Sequence, residues 1–446
     1  MLRILGCGWI ACVCIACLLS TLPAAPASQP AASSASAAPA APVRATADWP
    51  GWRGPNHNGI TASPRKWVTT WPADGLKKLW TTKIGQGYSS PVIVGDRVFI
   101  GGYGDPKKIN KKDKEWDTLY CLSATTGEIL WQMPMAIDGK SVLTAGTPVV
   151  DGEAVYVVSN AGDVCAFEAA TGKELWNFDM TQEGVKTIEH RCWSSAPLLE
   201  GNLLVLNGGT DGIALDKSTG KVAWKSDSDT APYMSPIPVD VDGQHLVLMV
   251  TGTKIVAVNP ADGKVVFGST KKEIGWQVTS QDLWADPVAQ GNEFEFAGIL
   301  LSLKDGKIAK AGGGKRNLEL GSTGEPIVYK GCIYASHAYK SFNSKLDEYG
   351  YRCRDWATGE IKWEQKGICG QQIIVDDKLV ILGIDGRLVI AQASPDKYVE
   401  LARASIFTGY KDGQRDENQC MVAPAFADGR LYLRHKDTLV CLDLRE

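Results

Sequence analysis

The chain has 446 residues, 44% of them hydrophobic, enough to bury a large core. Its formal charge of −3 and pI near 6.0 exclude an electrostatic case for binding nucleic acid or an anionic membrane surface. The 47 glycines and 15 tryptophans, with short β-rich runs between them, point instead to many strands and tight turns.

Residues 1–27 read as a signal peptide. Arg3 gives a positive flank, Ile4 to Leu19 is an uncharged apolar run, and Ala25 and Ala27 give the small-x-small pattern that a signal peptidase reads. Cys17 offers a lipoprotein-type site, although Cys14 stands where leucine is expected, and an uncleaved anchor is the third option. Residues 28–47 hold almost only Ala, Pro, Ser and Thr, a disordered tether that cannot bury a core. The expectation is a single exported domain over 48–446, in the periplasm or cell envelope. It is expected to be a monomer, with no transmembrane segment beyond the N-terminus. Export makes disulfides possible, but no C-x-x-C and no adjacent cysteine pair is written after the signal.

The domain opens on a leader, 48–75, that begins "DWPGWRGPNHNGIT". Trp49 and Trp52 are expected to dock on the domain, with Gly51, Gly54 and Gly59 permitting a tight path. The leader is then a strap that closes the fold, and Arg53 and His57 are its residues with a chance of facing a ligand.

Beyond the leader the chain repeats itself. "CLSATTGEILWQ", "AFEAATGKELWN", "ALDKSTGKVAWK", "AVNPADGKVVFG" and "CRDWATGEIKWE" each run strand, glycine turn, strand, closing on an aromatic. Ahead of each lies a second hairpin unit, such as "SSPVIVGDRVFIGG" or "SAPLLEGNLLVLNG". Pro91, Pro148, Pro197, Pro326 and Pro424 stand at its first strand, where no ladder hydrogen bond is lost. One repeat is therefore four antiparallel strands, and such small sheets bury their faces only by stacking around an axis. The closing aromatics Trp80, Trp131, Trp176, Trp224 and Phe267 fall at intervals of 51, 45, 48 and 43 residues. Trp363 and weaker equivalents near Ile308 and Leu401 continue the series. "LKKLWTTKI" (76–84) is a fourth strand without the other three, and "LYLRHKDTLVCLDLRE" at the C-terminus lacks its fourth. Joining them closes a ring and removes two open edges. The expected fold is an all-β, eight-bladed β-propeller closed by the N-terminal strand, or seven blades if 268–311 is an insertion.

The pattern in "AFEAATGKELW" and "ALDKSTGKVAW" resembles the tryptophan-docking repeat of pyrroloquinoline-quinone (PQQ)-like propellers, from about Trp49 to the end. That family includes quinoprotein alcohol dehydrogenases, the scaffold lipoprotein of the outer-membrane β-barrel assembly machinery, and exported repeat proteins. For a catalytic member the resemblance implies PQQ over a vicinal disulfide, a Ca²⁺ ion held by carboxylates and amides, and an Asp base. This chain has no Cys-Cys pair and no stretch that matches the calcium-ligand motifs. The expected function is thus a non-catalytic binding or scaffold protein of the cell envelope with a protein partner, with outer-membrane protein assembly as one setting. The alternative is a PQQ-dependent oxidoreductase with an atypical site.

If a ligand binds, the mouth of the central channel is the default place. Tyr88, His190, Arg191, Trp193, Tyr233, Trp284, Asp286 and Glu325 lie just before first strands and are the candidates there. Arg191 and Trp193 suit an anionic or planar group, and Asp286 and Glu325 a base or a cation. The plainer reading of each is loop packing or turn capping. Cys121, Cys353 and Cys441 share a repeat position with Ala166, Ala214 and Ala257, so they read as small packing groups. Cys165, Cys192, Cys332, Cys369 and Cys420 leave room for one disulfide. His337 and His435 repeat at strand ends and read as structural. "DVDG" (240–243) and "DSDT" (227–230) read as turns rather than calcium loops, so no metal site is expected. The insertions 104–117, 338–352 and 407–419 are the candidate partner contacts.

Overall fold

The computed structural model describes residues 46–71, 75–104, 117–136, 146–187, 193–231, 233–275, 285–311, 324–338, 345–408 and 420–446, all within one compact unit, Ala40–Glu446. Short apolar runs bounded by Gly and Asp turns form the strands, and these assemble into eight four-stranded antiparallel blades. Blades 1 to 7 span 92–136, 149–179, 198–225, 237–270, 288–310, 327–366 and 370–405. Blade 8 takes Ala425–Ala427, Arg430–His435 and Thr438–Asp443 from the C-terminus and Lys77–Lys83 from the N-terminal side. Trp80 lies opposite Cys441 in that closing pair. The region 268–311 supplies blade 5, so the ring has eight blades and the seven-bladed alternative falls.

First strands of neighbouring blades touch, for example 92–94 with 149–151 and with 425–427, and six of the eight are only three residues long. They line the axis. Each runs from a collar end, where it starts, to a turn end, where it hairpins into the second strand. The fourth strands form the rim and carry the exposed apolar residues Leu130, Leu175, Val222, Val265 and Ile361.

Blades are locked by their tryptophans. The indole N–H of Trp80 donates to Ala124 O, Trp131 to Ala169 O, Trp176 to Lys217 O, Trp224 to Pro260 O and Trp363 to Ser394 O, at 2.7–3.2 Å. Each acceptor is a carbonyl just past the third strand of the next blade. Within its own blade each tryptophan faces the repeat's small residue: Cys121 with Trp131, Ala166 with Trp176, Ala214 with Trp224, Cys353 with Trp363. Cys121, Cys353 and Cys441 are fully buried free thiols, as are Cys165, Cys332, Cys369 and Cys420 apart from slight exposure. Burial pushes the Cys121, Cys420 and Cys441 thiols up to about 12.

The signal segment, the tether up to residue 45, Cys192, and most of the 104–117 and 407–419 insertions lie outside the described residues. In the 338–352 insertion, 346–348 form a 3₁₀ turn and 349–352 already belong to a blade 6 strand, so that insertion is shorter than its sequence suggests. Thr46 and Asp48 are tied to the leader and blade 1 rather than to the tether, through Thr46 N–H to Ala62 O and Gly95 N–H to the Asp48 carboxylate.

Candidate functional site: a finger in the channel and its collar

The leader does not lie across the outside of the ring. Trp49 pairs antiparallel with Ile93 of blade 1 through two backbone hydrogen bonds of 2.7 and 2.9 Å, and Pro50 O accepts from Val150 N–H of blade 2. The chain thus climbs from the turn end toward the collar end. It reverses over 51–59, where Arg53, Gly54, His57 and Gly59 all have left-handed backbones. It then descends along blade 7, with Ile60 and Thr61 parallel to Ile374 and Val375. At the turn end Trp67 donates its indole N–H to Asp376 at 2.9 Å and packs on Phe426 of blade 8. The leader is a U-shaped finger that fills the axial channel. Its fit is tight: a Cβ on Gly54 would lie 2.8 Å from the Trp49 ring.

The tip meets a collar built from one residue per blade, two positions before the inner strand in seven blades (Ser90, Thr147, Ala196, Ser235, Asp286, Glu325 and Ala423) and the second residue of the longer inner strand, Gln371, in blade 7. The backbone N–H of one collar residue donates to the side chain of the next. Ser90 donates to Thr147, Ala196 to Ser235, Ser235 to Asp286, Asp286 to Glu325, and Glu325 to Gln371, at 2.7–3.3 Å. The relay has no acceptor to reach at Ala196 and Ala423, and the Ser90 hydroxyl, after Ala423, takes no part in it. At the two acidic members the finger completes the set. Trp52 donates its indole N–H to Asp286 at 2.5 Å, and Arg53 faces Glu325 at 3.4 Å while donating to Pro326 O at 2.6 Å.

These groups are desolvated, and their protonation follows. Burial pushes Asp286 up, against the Ser235 N–H, Arg53 and Trp52. Burial and then the Asp286 charge push Glu325 up to about 8, against Arg53. Glu295, on the second strand of blade 5, is pushed up to about 8 by burial, although its carboxyl accepts the Gly298 N–H. On the finger, burial holds the His57 imidazole down to about 4.

Of the predicted site residues, the structure brings Asp286 and Glu325 together at the collar. Tyr88 is 40% exposed at the same end of blade 1, Tyr233 is half-buried, and Trp193 is buried in the core shared by blades 2 and 3. His190, Arg191 and Trp284 lie outside the described residues. His435 packs on Phe407, as a structural histidine does. Sequence reasoning missed Arg434, fully buried, which donates to the carbonyls of Gly85, Ser89, Gly101 and Lys436 and stitches blade 8 to blade 1. It also missed that Trp52 and Arg53 answer Asp286 and Glu325. The signal was there: two acids at a position held elsewhere by Ser, Thr, Gln or Ala, and an Arg beside Trp52 in the leader. As for PQQ with calcium, the described residues do not fit it. The two mouth carboxylates are engaged by the collar and the finger, and no group of three or more His, Cys, Asp or Glu among the described residues could hold a metal ion.

The sequence profile of the family described as "Outer membrane protein assembly factor BamB" matches residues 115–298. The outer membrane protein assembly factor BamB of Shewanella oneidensis is 27% identical over 305 residues, 66% of this chain and 68% of the relative. Further relatives of that description are matched over less than half of their own length. BamB from Moraxella catarrhalis superposes with a TM-score of 0.54 at 15% identity, covering 83% of this chain and 100% of that one. Quinohemoprotein alcohol dehydrogenase ADHIIG from Pseudomonas putida HK5 superposes at 0.56 and 14% identity, covering 90% and 80%. At those identities the likeness is one of fold.

Proposed function

Since the chain is an eight-bladed propeller of PQQ-like repeats with BamB-like relatives, we propose that it is an exported, non-catalytic binding and scaffold protein of the cell envelope that works with a protein partner in outer-membrane protein assembly. The observation that carries this reading is the finger. The channel, where a ring of blades would take a small ligand, is occupied by Trp49, Trp52 and Arg53 of the same chain, and its two mouth carboxylates bind them. That leaves the outer surface as the place for recognition. The strand ends that bracket the three insertions, Tyr103 and Asp117, Ala338 and Tyr349, Ser405 and Ala425, all lie at the collar end, so partner contacts gather on that face. Residues 1–27 serve as the export signal and 28–47 as the tether, whose end is held by Thr46.

The test is chemical cross-linking in intact cells followed by identification of the captured protein. Capture of an outer-membrane assembly protein, lost when residues 339–344 are shortened, supports the reading. Saturable binding of PQQ with Ca²⁺, together with dye reduction by an alcohol or a sugar, would overturn the non-catalytic part of it.

A further inference from the structure

Two carboxyl groups and one guanidinium meet where the finger tip touches the collar, and a third buried carboxyl, Glu295 of blade 5, lies near enough to act on them by its charge. Asp286 and Glu325 are linked directly, the N–H of one donating to the carboxylate of the other at 2.9 Å, and Glu295 adds to the field on Glu325. All three are 2–6% exposed, and Arg53 is 5% exposed. Among the described residues, blade 4 brings Ser235 and blade 7 brings Gln371 and Gln372 to this cluster, all neutral, and on the finger the His57 imidazole lies beside Arg53. With every carboxyl ionised, a dry site would hold two negative charges without a counter-charge, which is costly at this depth.

We propose that the finger is a proton-held latch: the collar seats it firmly only while the Asp286–Glu325–Glu295 cluster keeps protons that its single guanidinium does not replace. Withdrawing the tip hydrates the carboxyls and returns them to the ordinary carboxylate range, so opening releases protons. The sign follows from linkage. Groups raised in the closed state favour closure at low pH, and that preference is lost as pH rises through about 8, the value to which Glu325 and Glu295 are pushed. His57 works the other way, because the seated imidazole is held neutral down to about 4 and takes up a proton on release. It titrates below the ordinary histidine range, so the interval above pH ~6.5 reports the carboxyls alone.

Hydrogen–deuterium exchange of the full chain, corrected for the pH dependence of intrinsic exchange, reads the latch directly. Protection over 49–61 is expected to fall at least ~10-fold between pH ~6.5 and ~8, since each proton released on opening contributes a factor of ten per pH unit. Peptides over 198–206 in blade 3 should hold their protection. In Glu325→Gln, which cannot ionise, the fall should shrink. Glu295→Gln provides the same reading if the first variant does not fold. Equal falls in both regions of the wild type, or an undiminished fall in the variants, would overturn the latch.

Discussion

In blades 1 to 4 the turn glycine lies against a tryptophan that the previous repeat supplies. Gly220 has a φ of 69°, and a Cβ placed on it would lie 2.6 Å from the Trp176 ring of the blade before. Gly127 stands in the same relation to Trp80 across the ring closure. The motif therefore asks two things of one position, a left-handed backbone and no side chain. Gly152, with a φ of 58° and nothing within 4 Å of its Cβ position, asks only the first. Gly152→Ala should cost about 1 kcal/mol in urea unfolding, and Gly220→Ala about 3 kcal/mol, because ring displacement adds to the strain. The glycine and the tryptophan were both legible as repeat letters. That they touch across two blades was not, because a sequence repeat shows each letter beside its own neighbours, while stacking joins it to the copy before.

The finger is the element the sequence described least well. Its two tryptophans and its glycines marked it as a strap docked on the propeller, and the structure places Trp49, Trp52 and Arg53 at the axis. The reason is register: Ile60 and Thr61 continue as a strand beside blade 7, and Trp49 pairs with blade 1, so both arms need inner strands as partners. Trp52→Ala should destabilise the fold by about 2 kcal/mol, the loss of a buried indole hydrogen bond that leaves Asp286 short of a donor. Arg53→Ala should cost about 3 kcal/mol, since the Pro326 carbonyl and Glu325 both lose their partner in a dry site. Both are read as melting-temperature shifts. An unchanged melt in both variants would show that the tip contributes nothing to stability. Asp286 and Glu325 were legible as mouth residues, but a carboxylate that grips the chain's own leader and one that awaits a ligand look alike in sequence. Arg434 gave no signal, because an arginine at a strand end is ordinary until its carbonyl partners are in view.

Across the whole molecule, the ring is closed by one antiparallel pair and by the charges that flank it. Asp443 of the last strand accepts from Lys77 of the closing strand at 2.8 Å and from Arg445 at 2.6 Å, and those bonds, Arg445 first, hold its carboxyl well below the usual range. A depressed carboxyl contributes stability above its ordinary pKa and loses it as pH falls through the lowered one. Asp443→Asn should therefore melt earlier than the wild type at pH ~7 and show a smaller further loss between pH ~4 and ~2. A parallel decline of the two proteins in acid would exclude a part for this pair in closure. Eight blades, their order and the strand exchange that shuts the ring were all legible, since turn spacing and an incomplete first and last repeat survive in a single chain.

The finger's place at the start of the chain has a consequence for how the molecule is made. Trp52 meets Asp286 across 234 residues, Arg53 meets Pro326 across 273, and Trp67 meets Asp376 across 309. A ribosome delivers these three aromatic and basic side chains before any blade, yet the groove that receives them exists only once most of the blades have been synthesised. Contacts of such long separation form late and slowly. The finger precedes every blade in the chain yet is the last part of the domain to seat, and in the interval its tryptophans lack the partners that bury them.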